Sequence, residues 1–400
     1  MGDVGRLTIL PAFGVRRGMR GGVVLTRKFL AGVEEYVRQW DGPVRVVVEE
    51  GMGQAGNMDE VEVVGDLPFE LKVAKYDGAE MRGATEGSAV VLAALHYRQL
   101  AICELCETMR IPVVYVTEYS LRTQMQMLAV ERVNPIVRLR RAIWLVNTER
   151  RARCVVRRAA GIQCNGTPTY EAYRGIAKEA LLYFDTRVRK AEAAMERRTN
   201  GILRLAYSGR LMAMKGADHL LPMAKELKRR GVKFELAICG GGEMETAMRK
   251  EVMALGLAKE VVFKGVMDFE RVLVPFVREE VDVFVCCHRQ GDPSCTYLET
   301  MACGVPIAGY ANEAFRGVVR HSGAGWMTPM NRPAKLAERI ATLSSEEIVE
   351  HGQRALAFAR EHTFEKTFAR RVEQLKRVSR GGPFFGDLRE ELFASKLVLP

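Results

Sequence analysis

Leu205-Ala-Tyr-Ser-Gly-Arg-Leu-Met-Ala-Met-Lys-Gly-Ala217 is a strand that stops at a glycine, sends two cations into a loop and reopens as a helix. The strand spans Leu203–Ser208, and Arg210 and Lys215 project from one strand-to-helix loop. Cys239-Gly-Gly-Gly-Glu243 repeats the design, ending the strand Lys233–Cys239 and opening the helix Glu243–Leu255. A glycine run there lets backbone approach a phosphate or a base. It is not the dinucleotide fingerprint G-x-G-x-x-G, because after Gly240 and Gly242 the third position is Glu245, which counts against a dehydrogenase. A third block, Gly291-Asp-Pro-Ser-Cys-Thr-Tyr-Leu-Glu299, follows the strand Val281–Cys286 and leads into the helix Thr296–Ala302, with Glu299 near the end of its first turn. Each block alone also fits an ordinary turn, since such turns favour glycine and polar caps. Three in series at strand ends are where open α/β sheets bind ligands.

Strand and helix patterns alternate through both halves, which predicts doubly wound parallel sheets. The first half reads as strands Leu7–Leu10, Val44–Glu49, Ala89–Leu92, Pro112–Val116 and Gly161–Cys164, with helices such as Val23–Gln39 and Tyr97–Met109. The second adds strands Val261–Lys264 and Pro306–Ala308, and helices Ala217–Arg230, Pro333–Leu343, Ser345–Glu361 and Phe364–Val378. Ser344-Ser-Glu-Glu347 forms a capping box. The expected domains are 1–185 and 201–363, joined by a linker over 186–200. A last helix and tail follow over 364–400, with a return to the first domain left open.

Length and composition suit two globular α/β domains: 400 residues, 48% hydrophobic and 27% charged. No apolar run is long enough to span a bilayer, and the start lacks a secretory pattern, so a cytoplasmic location is expected. Nine scattered cysteines suit reduced thiols better than a disulfide framework, and Cys103 and Cys106 lack a second pair to complete a zinc site. The histidines His96, His219, His321 and His351 show no metal spacing, and His288 is the one near the third block. The net charge of +11 concentrates partly in Arg132, Arg138, Arg140, Arg141, Arg150, Arg151, Arg153, Arg157 and Arg158. Ile136, Leu139, Ile143 and Val146 recur among them at helical spacing. Such a helix suits an anionic membrane face, or is a core-packed helix with a solvated basic side. A nucleic-acid partner is not expected, as no recognition signature is present.

Ser208-Gly-Arg-Leu211 with Lys215-Gly216, Ala237-Ile-Cys-Gly-Gly-Gly-Glu243, Val261-Val-Phe-Lys-Gly-Val266, Leu298-Glu-Thr-Met-Ala-Cys-Gly-Val-Pro-Ile307 and His362-Thr-Phe364, in this order, resemble glycosyltransferase family 4. The resemblance covers roughly 200–378 well and the first half only in general pattern. It implies a GT-B fold, two Rossmann-like doubly wound domains facing a cleft. It implies a retaining glycosyltransferase that moves a hexose-type sugar from a UDP- or GDP-sugar to a saccharide or lipid-linked acceptor, as in bacterial surface-polysaccharide assembly. No metal or other cofactor is implied beyond the nucleotide-sugar co-substrate. By the resemblance, Arg210 and Lys215 bind the donor diphosphate and Glu299 holds the ribose. Val266 and Met267 lie near the base, Gly240, Gly241 and Gly242 let the chain approach the donor, and Ser294, Cys295 and Thr296 offer backbone amides to the phosphates. The family's paired glutamates stand eight residues apart. The first position here is Gly291, with a carboxylate next door at Asp292, which either replaces the missing group or simply starts an Asp-Pro turn.

The first half is expected to hold the acceptor. Gly21 and Gly22 precede the helix read at Val23–Gln39 and resemble the family's glycine-rich first loop, with Arg16, Arg17 and Arg20 adding positive charge. Glu118 and Tyr119 end the strand Pro112–Val116, where many relatives carry a histidine, and Asn165 ends the strand Gly161–Cys164. Two other functions fit the same scaffold: a GT-B-shaped nucleotide-sugar epimerase, disfavoured by the scarcity of histidine at strand ends, and a non-catalytic nucleotide-sugar binder, kept open by the altered glutamate motif.

Overall fold

Strands buried on both faces read as continuous apolar runs, and Leu7–Leu10, Val46–Val48 and Val90–Ala93 form the middle of the first sheet. The computed structural model describes residues 5–51, 60–131, 133–193, 201–291 and 293–381. The first domain carries β1 (Arg6–Leu10), β2 (Gly14–Arg17), β3 (Val23–Thr26), β4 (Val44–Glu50), β5 (Glu60–Val63), β6 (Glu70–Val73), β7 (Ser88–Ala94), β8 (Val113–Thr117), β9 (Gly161–Asn165) and β10 (Ala180–Tyr183). Their order is β10-β9-β8-β7-β1-β4-β2-β3-β5, with β6 also on β4. The second carries β11 (Leu203–Ser208), β12 (Phe234–Cys239), β13 (Val261–Gly265), β14 (Val283–Cys286), β15 (Ile307–Tyr310) and β16 (Trp326–Thr328), in the parallel order β13-β12-β11-β14-β15-β16. Apolar clusters form the cores of the two domains.

One predicted helix is too long. Val23–Thr26 is a strand, antiparallel to β2 and β5. The helix runs Arg27–Gln39, and the Thr26 hydroxyl accepts the Phe29 amide at 3.2 Å. Val23 and Leu25 are buried on alternate positions, the period of a strand. Gly21 and Gly22 therefore sit in the β2–β3 hairpin turn rather than at a helix start. There the Glu62 carboxylate accepts the amides of Arg20 at 2.7 Å and Gly22 at 3.0 Å. The helix read at Tyr97–Met109 is likewise shorter, Ile102–Thr108. Gln99 ties the preceding turn to Ala94 and Pro11. The capping box at Ser344 and Glu347 is present. All nine cysteines are free thiols.

The chain crosses between the domains twice. After β10 it runs across the second domain, burying Phe184, Val188 and Ala191 in that core. The helix Phe364–Ser379 then returns, burying Phe364, Phe368, Val372 and Leu375 with Val33, Tyr36 and Trp40 of the first domain. His362 stands at this second crossing, edge-on to Phe184 at 5.1 Å and accepting from Arg370 at 3.2 Å. Burial, and then the Arg370 charge, push its pKa down to about 3. Folded His362 is neutral, whereas in the unfolded chain it takes a proton near pH 6.5, so its effect is absent above that pH and destabilises the fold as pH drops from about 6.5 towards 3. Replacing His362 with Gln should make the melting temperature less acid-sensitive, removing about 1–2 kcal/mol of the wild-type loss between pH 7 and 5. Parallel melting curves of the two proteins check this.

Candidate functional site

The loops after β11, β12, β14 and β15 meet at the carboxyl end of the second sheet. Backbone hydrogen bonds join the first two: the Leu211 amide donates to Gly241 at 2.9 Å and the Met244 amide to Leu211 at 3.1 Å. The fit explains a glycine of the run. A Cβ on Gly240 would stand 2.0 Å from the Gly209 carbonyl, and its φ is +139°. The run thus packs loop on loop, in addition to any close approach to a ligand. Arg210 is exposed at this junction, its carbonyl accepting from the Tyr207 hydroxyl at 3.0 Å. Lys215 is half-buried beside the end of β14. Burial first, and the Lys215 charge second, hold the His288 imidazole well below its ordinary pKa. His288 is buried, and its Nδ1 makes no hydrogen bond. Val266 is exposed, 3.4 Å from a Cβ on Gly241, and Met267 packs with Phe269 against the second core.

Ser208, Phe269, Thr296 and Glu299 line one small pocket. Glu299 is buried and does not face the cavity alone. Arg187, on the crossing segment, donates from Nε to its Oε1 at 2.8 Å and lays its guanidinium 3.8 Å from the centre of the Phe269 ring. No local spacing signals this pairing, because the partners are 112 residues apart.

A second small pocket lies between the domains, lined by Asn165, Gly166 and Asp185 on one side and Pro293, Ser294 and Tyr297 on the other. Asn165 is buried, its Oδ1 accepting the Asp185 amide at 3.2 Å. Lys28, near the start of the helix Arg27–Gln39, donates to Asp185 at 2.5 Å and to the Cys295 sulfur at 3.0 Å. Burial alone would raise the Asp185 carboxyl, but Lys28 and Arg371 outweigh it and hold it below the usual range. Cys295, expected to contribute only its amide, thus joins the domains through its side chain. Ser294 donates to the Thr296 hydroxyl at 3.1 Å. Arg371, buried on the returning helix, donates to Gln163 at 2.8 Å and lies 4.5 Å from the Tyr183 ring centre. Glu118 is exposed at the end of β8, and its charge reaches Arg371 and Tyr183. Asp292 lies outside the described residues.

The helix Leu121–Val130 of the first domain closes over the loops after β14 and β15. The Gly291 amide donates to Gln126 Oε1 at 2.9 Å, and the Thr123 hydroxyl to the Gly291 carbonyl at 3.3 Å. Glu313 pairs with Arg122 at 2.6 Å and accepts from Gln126 at 3.1 Å. Sequence spacing could not reveal these contacts either, since helix and loops come from different domains.

Residues 192–362 match the family model of glycosyl transferases group 1. The second domain is a group 1 glycosyl transferase domain. Among curated proteins, the chain is 25% identical over 168 residues to alpha-D-kanosaminyltransferase of Streptomyces kanamyceticus, covering 42% of this chain and 43% of that protein. It is 26% identical over 148 residues to the putative colanic acid biosynthesis glycosyltransferase WcaL of Escherichia coli, covering 36% of each. The chain thus spans less than half the length of these relatives. Its fold is GT-B, two α/β domains across a cleft, the first sheet mixed and the second parallel. The crystal structure of Anabaena HepE in complex with UDP is similar over 92% of this chain and 98% of that one, at a TM-score of 0.65 and 12% identity.

Proposed function

We propose that the protein is a retaining glycosyltransferase moving a hexose-type sugar from a UDP- or GDP-sugar to a saccharide or lipid-linked acceptor. The supporting observation is that the Arg210–Lys215 loop, the glycine run and the loop leading to Glu299 share one sheet end, facing the first domain. Cations there suit the charge that grows on a departing diphosphate. Retention follows from the resemblance to family 4, by attack on the face the diphosphate leaves. The test is turnover of UDP-glucose, UDP-N-acetylglucosamine and GDP-mannose, with the anomeric configuration of the product read by NMR. Neither binding nor turnover of any of them would end this reading.

The helix Pro135–Arg158 favours the lipid-linked acceptor. Its last turns pack into the core through Ala152, Val155 and Val156, whereas Ile136 and Leu139 are 70% and 62% exposed and Ile143 and Trp144 about half exposed. A core-packed reading therefore holds only for its end. Exposed apolar residues flanked by Arg140, Arg150 and Arg151 suit an anionic membrane surface. No helix among the described residues is long and apolar enough to cross a membrane.

Arg187 occupies part of the carboxylate that would receive the ribose and so competes with the ribose hydroxyls for it. Arg187→Ala should bind UDP or GDP about 2- to 5-fold more tightly than wild type, the worth of a half-exposed ion pair. Calorimetric titration measures this, and weaker binding would mean that the guanidinium itself serves the nucleoside.

A further inference from the structure

We propose that Glu313 supplies the sugar-binding carboxylate that the paired-glutamate pattern puts at position 291 and this chain lacks there; the inference rests on the transferase reading above. A Cβ built on Gly291 would stand 2.9 Å from Glu313 Oε2 and 3.2 Å from Glu313 Cβ. The side chain of Glu313 thus occupies the space beside position 291, and a carboxylate there would crowd it. The acid arrives from the loop after β15 instead of the loop after β14.

Its placement is fixed from both sides. Glu313 opens the helix Glu313–Ser322, whose cap Asn312 is buried and accepts the Phe315 amide at 2.9 Å. The same Asn312 donates to the His288 carbonyl at 3.3 Å and to the Tyr297 hydroxyl at 3.2 Å, tying the helix start to the donor loop. From the first domain, Arg122 and Gln126 hold the carboxylate, and Gln126 also takes the Gly291 amide. The Glu313 side chain keeps 24% of its surface exposed. A carboxylate has about four acceptor positions, so Arg122 and Gln126 leave room for sugar hydroxyls, which are donors. Because the holders come from one domain and the acid from the other, both domains contribute to this carboxylate's setting. Arg122 and Gln126 position the acid; Glu313 touches the sugar.

The test compares wild type with Glu313→Gln, Gly291→Glu and the double variant Gly291→Glu/Glu313→Gly. Each is titrated with UDP-glucose against UDP and with GDP-mannose against GDP. Glu313→Gln should weaken the sugar nucleotide about 10- to 100-fold, the worth of hydrogen bonds to a charged group, and leave the free nucleotide within about twofold. Gly291→Glu alone should lose sugar-nucleotide binding, since two like charges then meet in one space. The double variant should regain most of it, because the carboxylate has moved back to the other loop. Arg122→Ala, which loosens the clamp but keeps the acid, should weaken the sugar nucleotide less than Glu313→Gln does and leave the free nucleotide within about twofold. The proposal is overturned by an unchanged ratio of sugar-nucleotide to nucleotide affinity in Glu313→Gln, by equal loss of both, or by a double variant no better than Gly291→Glu. If Glu313→Gln does not fold, the double variant decides alone, and its failure to fold as well would make Glu313 a structural residue. Absence of any nucleotide binding by wild type would instead remove the transferase reading itself.

Discussion

Lys215→Ala should lower kcat for sugar transfer by about 10²–10³-fold, the range seen when one preorganised charge-stabilising group is removed from an active site, while UDP or GDP still binds. Charge builds on the diphosphate only as the glycosidic bond breaks, so a cation aimed there acts mainly on the transition state and its loss appears in kcat. Lys215 suits the role because it is half-buried, where a charge is less screened than on open surface. Its neighbour His288 does not share the work. Burial and the Lys215 charge keep that imidazole neutral through the physiological range, so it adds no positive charge, and the pH profile of kcat should show no inflection near 6.5 from it. Lys215→Arg should recover part of the rate, since charge is restored but the point-like ammonium geometry is not. Steady-state kcat and KM, with nucleotide Kd measured separately, decide the matter. An unchanged kcat in Lys215→Ala would show that the diphosphate is stabilised elsewhere.

Parallel strands were legible because each is a short apolar run closed by a turn; β1, β4, β7, β8, β9 and the first five strands of the second sheet all read this way. The antiparallel excursion of the first domain was not. β2, β3 and β5 are four residues each, and Val23 and Leu25 run on into the apolar period of the following helix, so the strand vanished into it. Only Thr26, a cap residue in mid-run, marked the true start. That misreading moved Gly21 and Gly22 from a hairpin turn to a helix start. In the site, local signals gave the loops but not their partners. Arg187 on Glu299, Lys28 on Cys295 and Glu313 beside Gly291 join elements far apart in the chain, and their pairing follows from domain packing, which no local period encodes. Burial also changed the meaning of some residues. Asn165 accepts the Asp185 amide within the first domain, and the Cys295 thiol, expected to offer only its backbone amide to the phosphates, also contacts the Asp185 carboxylate across the domain boundary.

Gly216→Ala should destabilise the second domain by roughly 2–5 kcal/mol, combining about 1–2 kcal/mol for a left-handed backbone with 1–3 kcal/mol for overpacking. Gly216 has φ +68°, and a Cβ there would stand 2.0 Å from the Cys287 carbonyl oxygen and 2.7 Å from its carbonyl carbon. Those atoms are backbone at the end of a central strand, buried in the second core. They cannot swing aside as a side chain could, so either the loop lifts or β14 shifts. Lifting the loop also breaks the bond from the Arg289 amide to Met214 at 3.3 Å and draws Lys215 away from the site. The first domain, with its own core and the returning helix, should be spared. Scanning calorimetry should therefore show the transition of the second domain lowered by roughly 4–20 °C, at 2–4 °C per kcal/mol for a domain of this size, with that of the first little changed. Turnover, measured well below the new transition, should fall as well, because the same glycine that seats the loop seats Lys215. A variant that melts as wild type does would show that the loop accommodates a Cβ, and the close approach to Cys287 would then carry none of the weight given to it.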